Sequence, residues 1–118
     1  MRGHEGIVDL LQRAEEIVLN IVVLGELLAG FRRGKRLGEN LERLDRFRAS
    51  PRVRTVALDE ETAHRYSEIV AYLRQAGTPI PTNDVWIAAS AMQLGLRVVT
   101  TDSHFERVPQ VASEVLTV

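Results

Sequence analysis

The chain reads as an α/β protein, with a mainly parallel sheet and helices on both of its faces. Three observations predict this. Ile17-Val18-Leu19 is a short continuous apolar run, as strands buried on both faces usually are, and Val53 to Leu58 and Arg97 to Thr100 read as further strands. Between these runs lie stretches whose apolar residues recur at helical spacing. Cap and turn residues punctuate the boundaries. Strands alternating with helices are the pattern of a parallel sheet.

Taken in order, Glu5 to Ala14 predicts a short helix with Ile7, Leu10 and Leu11 inward. The Ile17 strand follows, and Asn20 can cap a helix running through Glu26 to about Arg33. Gly34 and Gly38 bracket the break before a second helix, striped by Leu37, Leu41, Leu44 and Phe47 and ended by Ser50-Pro51. After the Val53 strand, Asp59 caps a helix whose first turn carries two acids at the positive end of its dipole. Ala63, Tyr66, Ile69, Val70 and Leu73 carry that helix to a stop at Gly77. Thr78-Pro79-Ile80-Pro81 is rigid and extended, because each proline fixes its own φ and biases its predecessor away from helix. A helix from about Asn83 to Leu94 ends at Gly95. The Arg97 strand, a helical turn near Phe105 and a last strand from Glu114 to Val118 complete the pattern.

With 118 residues the chain is read as one domain, residues 1–118, able to bury roughly two-thirds of its unfolded surface. It has no cysteine, which excludes disulfides and thiolate metal sites. No apolar segment is long enough to span a bilayer, and a cytoplasmic protein is the simplest reading. Net charge is −1, yet Arg32 to Arg54 holds nine basic residues against three acidic ones. That local excess suits a phosphate backbone, since Arg pairs with phosphate bidentately; a solvated helix face explains it equally well.

Three acids stand where an α/β fold can gather them. Glu26 lies mid-helix among Val22, Val23, Ala29 and Gly30, an unusual setting for a solvated acid, although an exposed helix-border residue is the plain alternative. Asp84 sits in the first turn after the rigid loop, where Thr82, Asn83 and Asp84 all suit a helix start on structural grounds alone. Asp102 follows Val98-Val99-Thr100 directly, beyond the carboxyl end of a strand, where ligands bind in open α/β sheets. A turn aspartate opening the next helix is its competing explanation. Thr100 and Thr101 can orient Asp102 through a hydroxyl, as Asn83 can orient Asp84. Gathered carboxylates repel one another unless a cation joins them, and hard ions such as Mg²⁺ and Mn²⁺ prefer oxygen ligands. His4, His64 and His104 are scattered without metal-ligand spacing. His104, two residues past Asp102, weighs less as a substrate contact than as an ordinary turn residue.

Three segments in this order, Val22 to Gly30, Ile80 to Ala89 and Val98 to Phe105, resemble the PIN domain, most closely the VapC-type toxins of bacterial toxin–antitoxin pairs. The resemblance implies a three-layer α/β/α fold and a ribonuclease whose acids hold Mg²⁺ or Mn²⁺ to hydrolyse RNA. Glu26, Asp84 and Asp102 match three of that family's four site acids. It also implies a homodimer and a neutralising antitoxin partner. Arg32, Arg33 and Arg36 are the candidate RNA contacts. The pattern departs at its start: PIN domains open with a strand ending in an aspartate, and Met1-Arg2-Gly3-His4 leads straight into the first helix region. The expectation is therefore a domain lacking its first strand, with Met1 an internal methionine of a longer reading frame. A catalytically inactive PIN-like module that binds antitoxin or RNA without cutting is the alternative. A phosphoacceptor receiver domain shares the layout but needs a lysine near the last strand, and Lys35 is the sole lysine.

Overall fold

Residues 9, 11–100 and 102–115 are described by the computed structural model. They divide into two units, Arg13–Ala57, and Leu58–Val118 with Met1–Gln12.

In the first unit a strand becomes a helix with no loop between. Strand β1 (Ile17–Asn20) runs directly into helix α1 (Ile21–Arg33). Asn20 makes this possible: its backbone stays extended while its Oδ1 accepts the Val22 N–H at 2.7 Å, filling a donor that the helix start leaves open. Helix α2 (Leu37–Arg48) follows, and then strand β2 (Val53–Val56). The two strands pair in parallel, with Ile17 opposite Val53 and Asn20 opposite Val56. Ile17, Leu24 and Leu44, one from each of β1, α1 and α2, are the buried apolar residues here.

The second unit holds a larger core. Helix α3 (Glu60–Ala76) begins with a reciprocal cap: Asp59 Oδ1 accepts the Thr62 N–H, and Thr62 Oγ1 accepts the Asp59 N–H, each at 3.0 Å. The Thr62 hydroxyl also donates to Gln93 Oε1 at 2.6 Å, near the end of helix α4 (Thr82–Leu94). Gly77 and Gly95 close the two helices with φ of 69° and 66°, left-handed values that a glycine adopts without a Cβ penalty. Val85, Ala88, Ala89 and Ala91 bring small side chains from α4 against Ile69 and Leu73 of α3. Tyr66 and Trp86 stack across the same pair, with ring centroids 4.0 Å apart. Strand β3 (Val98–Thr100) pairs in parallel with strand β4 (Ser113–Val115), and a 3₁₀ turn, Ser103–Arg107, lies between them. Phe105, Val108 and Val111 fold this segment into the same core.

The alternation of strands and helices and the parallel pairing are those predicted. The differences are local. Strand β2 stops at Val56 rather than Leu58. Thr62, not Ala63, takes the inward place on α3, because its hydroxyl is satisfied by Gln93. Of the expected first helix, residues 9 and 11–13 are helical, Ala14 is not, and the rest lies outside the described residues, as do residues 116–118 of the last strand. Among the described residues no helix is long and apolar enough to cross a membrane.

Candidate functional site

The second unit brings two of the three predicted acids together. Pro81 precedes helix α4 and gives it no side-chain cap, and the Asp84 N–H is taken by the Pro81 carbonyl at 3.0 Å. The Asp84 carboxylate is therefore not spent on capping its own helix. Its side chain, 18% exposed, turns to His104 instead, with Oδ2 3.0 Å from Nδ1.

Asp102 lies just past the carboxyl end of β3 and is held by its own backbone surroundings. The Thr100 hydroxyl accepts the Asp102 N–H at 3.0 Å, and Asp102 Oδ1 accepts the His104 N–H at 2.9 Å, which opens the 3₁₀ turn. The second carboxylate oxygen, Oδ2, faces His104 Nδ1 at 3.0 Å. One imidazole nitrogen thus touches both aspartates, although Asp84 and His104 are 20 residues apart in sequence. Each arm is anchored by its neighbour in the chain, Val85 beside Asp84 and Phe105 beside His104, both buried.

Asp84, Asp102 and His104 each offer a ligand atom, and these atoms lie within 4.8 Å of one another. Two carboxylates this close favour a positive charge between them. Among the described residues neither pairs with an Arg or Lys; the imidazole is their partner. The donor set, carboxylate oxygens with one nitrogen, can hold a divalent metal ion.

In sequence His104 reads as a turn residue or a substrate contact, not as the meeting point of two aspartates, because Asp84 lies in another element. The other predicted residues fall as follows. The Thr100 hydroxyl meets Asp102 at its backbone N–H rather than at the carboxylate. Asn83 is exposed next to Asp84, and Thr101 is outside the described residues. Glu26 belongs to the first unit and is exposed on α1. Arg32, Arg33 and Arg36 are exposed at the end of α1 and the start of α2.

Comparison with known proteins gives the family and the fold. The model of the PIN domain family matches residues 2–111. Ribonuclease VapC4 of Mycobacterium tuberculosis is 31% identical over 100 residues, 85% of this chain and 75% of that protein. Among solved structures, VapBC2 from Rickettsia felis bound to a DNA fragment from its promoter has a TM-score of 0.82 at 27% identity, covering 98% of this chain and 86% of that one. VapBC-5 from Mycobacterium tuberculosis, a member of the VapBC family of toxin–antitoxin systems, has a TM-score of 0.65 at 27% identity, over 84% of this chain and 79% of that one. With three motifs in order, a convergent pair of aspartates and these similarities, the chain belongs to the PIN domain family and carries its α/β fold in the VapC-like form.

Proposed function

We propose that this chain is the toxin of a toxin–antitoxin pair, a ribonuclease that hydrolyses RNA phosphodiester bonds with Mg²⁺ or Mn²⁺. The observation that carries the reading is the meeting of Asp84 and Asp102, from the start of one helix and the end of one strand, on a single imidazole nitrogen. Asp84 and Asp102 hold the ion, and Glu26 is the third acid that the family motif matches. An ion bound there supplies Lewis-acid chemistry, neutralising charge on the phosphate and acidifying water. Thr100 keeps Asp102 in place through its backbone. Arg32, Arg33 and Arg36, which have no carboxylate partner among the described residues, take RNA phosphates. Similarity to a protein of a toxin–antitoxin system supports an antitoxin as partner. The same reading takes the toxin itself as a homodimer in the cytoplasm.

RNA cleavage by the purified chain tests this. Activity is expected with Mg²⁺ or Mn²⁺ and not after chelation. Asp84→Asn, Asp102→Asn and Glu26→Gln should each lose at least ~10–100-fold, the cost of disturbing even an outer partner of a metal. Cleavage that survives chelation would remove the metal from the account. A folded chain that binds antitoxin but cuts no RNA with either ion would make it a binding module.

A further inference from the structure

We infer that His104 is itself a ligand of the ion, through Nδ1, and that the centre is a mixed carboxylate–imidazole site selecting Mn²⁺ over Mg²⁺. The inference rests on the ribonuclease reading only for the presence of an ion. Its own support is the position of one atom. Nδ1 lies 3.0 Å from Asp84 Oδ2 and 3.0 Å from Asp102 Oδ2. Neighbouring donors of an octahedral ion, each at about 2.1 Å from the metal, are separated by about 3.0 Å. Nδ1 therefore lies at the spacing that a third donor would take beside each of the two oxygens.

The backbone keeps it there. The His104 N–H is bonded to Asp102 Oδ1, the next residue is buried, and the ring returns to the same carboxylate through Oδ2. As a metal ligand the ring would carry its proton on Nε2 and present the Nδ1 lone pair inward. Mg²⁺ is a poor match for such a donor, because it takes oxygen ligands almost exclusively, whereas imidazole suits the first-row transition metals. Nitrogen in the donor set is thus a selectivity element, favouring Mn²⁺ and the ions after it in the series.

Pulsed electron paramagnetic resonance on the full chain loaded with Mn²⁺ reads this directly, without any variant. Modulation from a coordinated imidazole ¹⁴N is expected. Calorimetric titration with Mn²⁺ and Mg²⁺ should show the preference for Mn²⁺ falling about 10-fold or more in His104→Gln and His104→Ala; circular dichroism checks that both variants are folded. Mn²⁺ that binds in an Asp84-dependent way with no nitrogen coupling, or an unchanged preference in both variants, overturns the assignment and leaves the ribonuclease reading standing. A folded chain that binds neither ion overturns both.

Discussion

Ile69 shows what a single residue contributes to this fold. It is fully buried where α3 meets α4, at 0% exposure. Ile69→Ala should cost about 2–5 kcal/mol in urea unfolding, the sum of lost transfer energy and the cavity left behind. Thr62 is equally buried, but for a different reason. Its hydroxyl both accepts the Asp59 N–H and donates to Gln93, so Thr62→Val, nearly the same in shape, strands polar groups at about 1–3 kcal/mol. An effect near zero would mean that water replaces the hydroxyl. Ala63 looked the better inward residue from hydrophobicity alone. A polar residue whose partner lies 31 positions away defeats that kind of reading.

At the scale of elements, the start of α3 carries a pH dependence. The Thr62 backbone N–H, and then its hydroxyl, hold the Asp59 carboxyl below its ordinary value of 3.8. A carboxyl depressed by folding stabilises the protein above its unfolded value and loses that contribution as pH falls through the folded one. Wild type should therefore melt higher than Asp59→Ala at neutral pH, and the gap should narrow below about pH 3.8. A gap independent of pH would show that the charge on this cap does nothing. At the end of α1 and the start of α2, replacing Arg32, Arg33 and Arg36 by Ala should flatten the salt dependence of RNA binding, by roughly 0.7 in slope for each phosphate left without its arginine. An unchanged slope would return these arginines to the role of a solvated helix face. Helix ends such as Asn20, Asp59, Gly77 and Gly95 were legible in the sequence because capping is decided within a few residues. The ends of β2 and β4 were not, since a strand extends only as far as its neighbour pairs with it.

For the molecule as a whole, an ion that binds only the folded state stabilises it by mass action. Mn²⁺ at ~100 times its Kd should raise the unfolding free energy by about 2.7 kcal/mol, and Asp84→Asn should abolish that gain. A melting temperature indifferent to Mn²⁺ would contradict the metal centre whatever the activity assay reports. The family and the two aspartates were readable because their motifs are local, each a few residues around a strand end or helix start. What joins them was not. The contact from Asp84 to His104 depends on how the segment after β3 folds back, and nothing in the spacing of those residues announces it.

The stack of Tyr66 on Trp86 gives the molecule an optical property of its own. Trp86 is the sole tryptophan of the chain, two residues beyond Asp84 and held at 4.0 Å from the Tyr66 ring. All indole emission therefore comes from the first turns of the helix that presents Asp84. Indole fluorescence, selectively excited and with no label attached, reports on that turn and the Tyr66 ring stacked on it, so a loading ion or a docking antitoxin that disturbs them announces itself in a single spectrum.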